Sequence, residues 1–123
     1  MSHAILVVDD NPSNLKLFTL LLAIPGYAVS TASSAREALA ALEQVQPELI
    51  LMDLQLPDID GLTLTRRLKQ DPRLQHTRIV AVTASAMKGD EEKARAAGVD
   101  GYMTKPLDKR TFRAMVKGYL KGE

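Results

Sequence analysis

Three carboxylates, a hydroxyl and an ammonium follow short apolar runs in this sequence, in positions that could bring them into one pocket. The residues are Asp9, Asp10, Asp53, Thr83 and Lys105. Two unit charges about 5 Å apart repel by roughly 3 kcal/mol at an effective dielectric of 20, so three clustered carboxylates need a cation beside them. Lys105 can offset one of these charges, and a divalent cation can offset two.

The chemistry of the donor atoms indicates which cation this would be. Oxygen ligands without His or Cys favour Mg²⁺ or Mn²⁺ over Zn²⁺, and Mg²⁺ held by few protein ligands keeps waters that a phosphate can replace. A carboxylate beside such a metal can itself attack phosphorus. The residues therefore predict a Mg²⁺ site that handles a phosphoryl group.

Asp53 is the candidate nucleophile of this site. It ends the apolar run Leu49–Met52 and precedes a loop, which leaves it accessible. The hydroxyl of Thr83 and the ammonium of Lys105 would bind phosphoryl oxygens where charge builds up, while Mg²⁺ bridges Asp10 and the reacting group. Each of these residues alone is also explained as an ordinary strand end, turn or helix cap, and it is their joint occurrence at successive strand ends that favours the phosphoryl site.

Alternating strands and helices would position these residues. Short apolar or β-prone runs predict strands at Ala4–Val8, Ala28–Thr31, Leu49–Met52, Ile79–Val82 and Gly101–Met103. Stretches of helical period follow them, and runs that are continuously apolar are typical of parallel strands covered on both faces. The pattern predicts an α/β fold with a doubly wound parallel sheet, in which ligands bind beyond the carboxyl ends of the strands.

Residue types at the predicted helix ends support these boundaries. Asn11 before Pro12 is typical of a helix start, and Ser33 or Ser34 and Asp108 could cap later helices in the same way. The fourth helix, expected at about Lys88 to Ala97, is the weakest element because its apolar face is mostly alanine.

Length and composition limit the class of protein. The 123 residues fit one domain, residues 1–123, and the absence of cysteine excludes disulfides and thiolate metal sites. The longest apolar stretches fall far short of the ~20 residues that a membrane-spanning helix needs, and the N-terminus lacks the pattern of a signal peptide. We therefore expect a cytoplasmic protein without a membrane partner.

Charge is distributed unevenly along the chain, although the net charge is only +1. Residues 1–60 carry two basic and eight acidic groups, whereas residues 105–123 carry six basic and two acidic groups. The basic run is either a solvated C-terminal helix or a surface that meets an acidic partner.

Taken together, these motifs resemble the receiver domain of two-component response regulators, within the CheY-like superfamily. The resemblance covers essentially the whole chain and rests on Val7-Val8-Asp9-Asp10-Asn11, Leu49 to Pro57 with Asp53 inside it, Asp60-Gly61, Val82-Thr83-Ala84 and Lys105-Pro106-Leu107. Asn11 to Asn14 and Thr83 to Asp90 are most similar to single-domain regulators of the DivK kind and to receivers of hybrid histidine kinases.

The resemblance implies a five-stranded flavodoxin-like sheet of order 2-1-3-4-5, flanked by five helices. It implies that Asp53 accepts a phosphoryl group from a histidine kinase or histidine phosphotransfer protein. Asp10, Asp53 and the backbone carbonyl of Gln55 would bind Mg²⁺ directly, and Asp9 would act through water. Thr83 and Lys105 would contact the phosphoryl oxygens, and the bond between Lys105 and Pro106 would be cis.

The resemblance also implies a signalling output rather than turnover of a separate substrate. Tyr102 matches the aromatic switch position, which would follow Thr83 inward and reshape a surface of helix 4, strand 5 and helix 5 for a downstream protein target. Gln55 and Ser85 would set the lifetime of the phosphate. Such a domain catalyses only its own phosphorylation and dephosphorylation.

Three alternatives have their own sequence requirements. A phosphatase of the haloacid-dehalogenase type needs a second aspartate two residues after the first, where this chain has Gln55. A flavodoxin-like FMN or nucleotide binder needs a Gly, Ser or Thr-rich loop after the first strand, where Asp9 and Asp10 would repel phosphate. A degenerate receiver that acts only in docking would not retain Asp53, Thr83 and Lys105. No helix-turn-helix segment follows the last helix, so direct binding to nucleic acid is not expected.

Overall fold

The computed structural model describes residues 3–83, 89–105 and 108–121, which form five strands and five α-helices in alternation. The strands are β1 (His3–Val8), β2 (Tyr27–Ala32), β3 (Leu49–Met52), β4 (Arg78–Thr83) and β5 (Gly101–Thr104). The helices are α1 (Pro12–Leu21), α2 (Ala35–Gln44), α3 (Gly61–Lys69), α4 (Asp90–Ala97) and α5 (Lys109–Lys121), with a short 3-10 helix at Pro72–Leu74.

The five strands form one sheet of order β2-β1-β3-β4-β5, in which every neighbouring pair is parallel. This confirms the predicted sheet order. Val8 at the end of β1 is level with Met52 at the end of β3, and Thr83 at the end of β4 is level with Thr104. The residues that follow these strands therefore emerge at one edge of the sheet, on either side of the point where strand order reverses.

Side chains of each inner strand alternate between two buried layers. In β1, Ile5 and Val7 pack with α1 and α5, whereas Leu6 and Val8 pack with α2, α3 and α4. All four residues of β3 are buried, as the continuous apolar run predicts. The phenyl rings of Phe18 and Phe112, 5.4 Å apart, join α1 to α5 on one face.

Short polar side chains begin most of the helices. The side chain of Asn11 accepts hydrogen bonds from the amides of Ser13 and Asn14, with Pro12 in the first turn of α1. Ser34, and not Ser33, caps α2. Capping satisfies amides that have no partner within the helix, which explains why these helices begin where they do.

The start of α4 is later than expected. The helix begins at Asp90, after Gly89 with φ of +90°, a left-handed conformation that favours glycine. Lys88, where we expected the helix to begin, lies outside the described residues. The mostly alanine face contributes Ala94 and Ala97 to the buried layer. No helix formed by residues 3–83, 89–105 or 108–121 is both long and apolar enough to cross a membrane.

Candidate functional site

Asp9 is held by several donors at the end of β1. Its side chain is almost fully buried, with 1% of the residue exposed. The Lys105 ammonium lies 2.7 Å from one carboxylate oxygen, and the backbone amide of Asn11 donates to the other at 2.9 Å. The side-chain amide of Asn14 also donates to this carboxylate, at 3.2 and 3.4 Å from its two oxygens. The carboxylate is thus fixed in place and its charge is offset.

Asp53 occupies a different environment at the end of β3. It is 7% exposed, and the backbone amide of Gln55 donates to its carboxylate at 3.1 Å. Burial is the main cause that raises the pKa of Asp53 from 3.8 to about 6. The charges of Asp9 and Asp10 add to the increase, whereas the Gln55 amide and Lys105 oppose it. The ionised form is therefore held at a cost that a bound cation would relieve.

Asp10 completes a cluster of three carboxylates. Unlike Asp9 and Asp53 it is exposed, yet one carboxylate oxygen from each of the three residues lies within 4.8 Å of the others. The donors are all oxygens, and one of the residues faces solvent, which leaves room for coordinated water. This donor set fits Mg²⁺, a cation that takes oxygen ligands and retains several waters.

Thr83 and Lys105 meet beside this cluster. Thr83 is the last residue of β4 and is 2% exposed, and its carbonyl accepts a hydrogen bond of 2.8 Å from the amide of Lys105. Lys105 follows β5, and its ammonium reaches across to Asp9. A hydroxyl and an ammonium at neighbouring strand ends can stabilise negative oxygens that develop in a reaction at Asp53.

The loop between Asp53 and α3 is packed tightly against the end of β3. The amide of Gly61 donates to the carbonyl of Leu54 at 3.0 Å. A Cβ atom at Gly61 would lie only 2.5 Å from the Asp53 carbonyl oxygen, closer than van der Waals contact allows. Glycine is therefore required at this position for the loop to turn back onto the end of β3.

Two polar residues near the site were not predicted from the sequence. Asn14 contacts Asp9 from the first turn of α1, and a polar side chain at a helix start close to the acidic pair is the one local signal for it. Asp58 hydrogen-bonds to the start of α2, more than 20 residues away in the chain, and no local pattern indicates such a contact.

Tyr102 lies on the face of the sheet that α4 covers. Its ring is half-buried against the layer that includes Ala81 and Ala94. Burial raises the pKa of Tyr102, and the nearby charges of Asp90 and Glu91 raise it further. Tyr102 therefore lies on the α4 side of the sheet, close enough to Asp90 and Glu91 to be affected by their charges.

Three further predictions concern Gln55, Ser85 and the bond between Lys105 and Pro106. Gln55 is exposed in the loop after Asp53. Ser85 lies outside the described residues, as does Pro106 and with it the predicted cis bond after Lys105.

Comparison with known proteins identifies relatives along the whole chain. The model of the response regulator receiver domain family matches residues 5–117. The polar-differentiation response regulator DivK of Brucella ovis is 43% identical over 120 residues, which are 98% of this chain and 98% of that protein. DivK of Brucella anthropi is 42% identical over the same length.

Solved structures share the fold. A CheY-like response regulator receiver domain protein from Methanospirillum hungatei superposes with a TM-score of 0.90 at 30% identity, covering 99% of this chain and 96% of that one. The receiver domain of a sensor histidine kinase from Pseudomonas aeruginosa, with a magnesium ion coordinated in its active site cleft, gives a TM-score of 0.88 at 30% identity. That match covers 98% of this chain and 99% of the other.

Proposed function

The chain belongs to the response regulator receiver family, and we propose that Asp53 accepts a phosphoryl group from the phosphohistidine of a histidine kinase or histidine phosphotransfer protein. The observation that carries this proposal is the convergence of Asp9, Asp10 and Asp53 within 4.8 Å, with Lys105 paired to Asp9. Receiver domains are phosphoacceptor signalling domains rather than conventional enzymes, and the chain would catalyse only its own phosphorylation and dephosphorylation.

In this reaction an oxygen of the Asp53 carboxylate attacks phosphorus and the phosphorus–nitrogen bond of the donor breaks, so the histidine nitrogen leaves with the electron pair. Asp10, Asp53 and the backbone carbonyl of Gln55 would hold Mg²⁺, with Asp9 acting through water. When bound, Mg²⁺ supplies positive charge to the phosphoryl oxygens. Burial, and to a smaller extent the charges of Asp9 and Asp10, raise the pKa of Asp53 and make its ionised form costly, a cost that the cation would offset.

Lys105 and Thr83 would bind the transferred group. The Lys105 ammonium, now 2.7 Å from Asp9, would exchange that partner for a phosphoryl oxygen. The Thr83 hydroxyl would donate to another oxygen from the end of β4. Because both groups are buried or partly buried, their hydrogen bonds to the charged oxygens are stronger than the same bonds in water. The family resemblance implies that Gln55 and Ser85 would set the lifetime of the phosphate.

The output would be a change in the surface formed by α4, β5 and α5. Movement of the Thr83 hydroxyl toward the phosphoryl group would allow Tyr102, which packs beside α4, to turn inward. Coupling of this kind is worth ~1 to 3 kcal/mol, or roughly 5 to 150-fold in the affinity of a downstream protein target.

We also propose that residues 1–123 form one receiver domain.

The exposed cations of α5 favour an acidic partner for that part of the surface. An open cleft of about 580 Å³ at the start of α5 is lined by Asp108, Lys109, Arg110 and Arg113. Lys109, Arg110 and Lys117 are exposed, whereas the Arg113 guanidinium is tied to the Leu21 carbonyl at 2.7 Å. Three exposed cations on one helix raise the local concentration of acidic ligands.

A small phosphodonor tests the phosphoacceptor proposal without the cognate kinase. With acetyl phosphate and Mg²⁺, we expect the intact mass of the wild-type chain to increase by one phosphoryl group, and we expect EDTA to abolish the increase. Asp53→Asn should gain nothing, whereas Asp60→Asn, which removes an exposed acid seven residues away, should be labelled like the wild type. An unlabelled wild type, or labelling that persists in Asp53→Asn, would disprove the proposal.

A further inference from the structure

The first turn of α2 is capped by a residue from a different part of the chain. The two carboxylate oxygens of Asp58 accept hydrogen bonds from the amides of Ala35 and Arg36, each 2.9 Å long. Ser34 accepts from the next amide, that of Glu37, at 3.1 Å. The first three amides of α2 therefore all have partners, and two of these partners come from the loop that follows Asp53.

The other described caps are local. Asn11, Asp60 and Asp108 each accept from amides two or three residues ahead, at the start of their own helices. Asp58 instead spans 22 and 23 residues. The amides of Ala35 and Arg36 hold the pKa of the Asp58 carboxyl below its usual range, so the carboxylate is charged when it makes these bonds. Bonds of this kind to a charged acceptor are roughly twice as strong as neutral ones.

This contact fixes one side of the loop that contains Gln55. On the other side, Gly61 is bonded to the Leu54 carbonyl and packs against Asp53. Gln55 therefore lies between the acceptor strand and a residue that is tied to a second helix. Its amide donates to Asp53 at 3.1 Å, so a displacement of the loop would be transmitted to the acceptor carboxylate.

We propose that Asp58 is a positioning residue for the metal centre, which holds the loop of Gln55 against the start of α2 so that the carboxylate cluster and the Gln55 carbonyl are preorganised for Mg²⁺. This rests on the Mg²⁺ site of the proposed function and extends it to a residue outside the pocket. Partners that orient metal ligands in this way typically contribute 10 to 100-fold to metal affinity. The α2 start thus serves as a fixed support for the acceptor loop.

Mg²⁺ titration of the unphosphorylated full chain, followed by amide NMR signals, tests this inference. We expect Asp58→Ala to weaken Mg²⁺ affinity about tenfold and to speed amide hydrogen exchange at Gln55, Leu56 and Ile59. Asp58→Asn removes the same charge but keeps one acceptor oxygen, so it should weaken affinity by about threefold, between wild type and alanine.

Ser34→Ala is the matched control, because it removes a cap from the same helix end and leaves the loop contact in place. We expect it to lower the thermal midpoint as Asp58→Ala does, but to change Mg²⁺ affinity less than about twofold. Equal losses of affinity in Ser34→Ala and Asp58→Ala would overturn the inference in favour of helix fraying. Equal losses of Mg²⁺ affinity in Asp58→Ala and Asp58→Asn would overturn the inference, because the negative charge of Asp58, and not its hydrogen bonds to α2, would then explain the effect.

Two further results separate this inference from the proposed function. Unchanged Mg²⁺ affinity in Asp58→Ala, beside a wild type that binds Mg²⁺ through Asp10 and Asp53, would overturn the role of Asp58 and leave the phosphoacceptor proposal standing. A wild type without affinity for Mg²⁺ would overturn both.

Discussion

Asp9 and Asp53 show how the surroundings of two carboxylates can give them different roles. Asp9 is bonded to Lys105, to the Asn11 amide and to the Asn14 side chain. The Asp53 carboxylate accepts a hydrogen bond from the Gln55 amide, and burial raises the pKa of Asp53 to about 6. This difference supports the proposed roles, with Asp9 beside the cation and its water shell and Asp53 as the nucleophile.

The raised pKa predicts that Asp53→Asn stabilises the metal-free protein at neutral pH. The folded state binds the Asp53 proton more tightly than the unfolded state, whose pKa is near 3.8, so this group's contribution to stability is lost as pH rises through about 6. At pH 7.5 in EDTA, we expect urea unfolding to show a gain of about 1 to 3 kcal/mol in Asp53→Asn. At pH 4 the gain should be much smaller.

Asp71→Asn is a control of opposite sign. Hydrogen bonds from Arg73 lower the pKa of the partly exposed Asp71 carboxyl, so its removal should destabilise the protein slightly at pH 7.5. A destabilised Asp53→Asn, or a gain equally large at pH 4, would contradict the electrostatic account of the cluster.

The sequence predicts the residues of this pocket unevenly. Asp9, Asp10 and Asp53 can be predicted from the sequence, because the pair Asp9-Asp10 and the single Asp53 each come directly after the apolar run of a strand. The link from Asp58 to α2 is not visible, because hydrogen bonds between distant segments follow no local spacing. The roles of Gln55 and Tyr102 came from family resemblance, since neither an exposed glutamine nor a half-buried tyrosine has a distinctive chemistry at its position.

At the scale of elements, the boundaries of the strands and the end of α4 at Ala97 were predictable, whereas the start of α4 lies two residues after the predicted position. Continuous apolar runs placed all five strands to within about one residue at each end, because burial on both faces leaves little choice of residue. In α4, alanine supplies a weak apolar face, and the helix begins only after the left-handed Gly89. Ser33 and Ser34 are equivalent as caps in the sequence, and the structure distinguishes them by the bond from the Glu37 amide.

The tight turn at the start of α3 leads to a prediction for Gly61→Ala. The added Cβ would meet the Asp53 carbonyl at 2.5 Å and Leu54 Cα at 2.6 Å, so the loop must move away from the acceptor strand. We expect a loss of about 1 to 3 kcal/mol in the free energy of unfolding, together with slower labelling by acetyl phosphate.

Gly118→Ala provides the matched change at an open site. Nothing lies within 4 Å of a Cβ at this position of α5, and alanine favours a helix by about 0.5 to 1 kcal/mol over glycine. This variant should therefore be more stable than the wild type and should be labelled normally. If Gly61→Ala is labelled normally and is as stable as the wild type, the turn at Gly61 does not hold Asp53 in position.

The proposed coupling of Thr83 to Tyr102 predicts that Thr83→Ala separates phosphoryl binding from switching. With Mg²⁺ and beryllofluoride, a mimic of the phosphoryl group, Thr83→Ala should still be modified at Asp53, but the NMR signals of the Tyr102 ring should shift much less than in the wild type. Thr104→Ala, at the neighbouring strand end, should retain the shift. A full Tyr102 shift in Thr83→Ala would refute the coupling.

For the whole molecule, one sheet brings distant segments of opposite charge together. The acidic cluster comes from β1 and β3, in the half of the chain with a net charge of −6, and the ammonium that balances it follows β5. The order β2-β1-β3-β4-β5 places β1 beside β3 and β4 beside β5. Sequence patterns predicted a parallel α/β sheet and the family resemblance predicted its strand order, whereas the pairing of Lys105 with Asp9 required the three-dimensional structure.

The most direct test of the account is a structure of the full chain determined with Mg²⁺ and beryllofluoride. We expect beryllofluoride to be bound to the Asp53 carboxylate, and Mg²⁺ to be bound by Asp10, Asp53 and the Gln55 carbonyl. The Lys105 ammonium should have moved from Asp9 to a fluorine atom. An unmodified Asp53, or a cation bound away from the three carboxylates, would contradict the account.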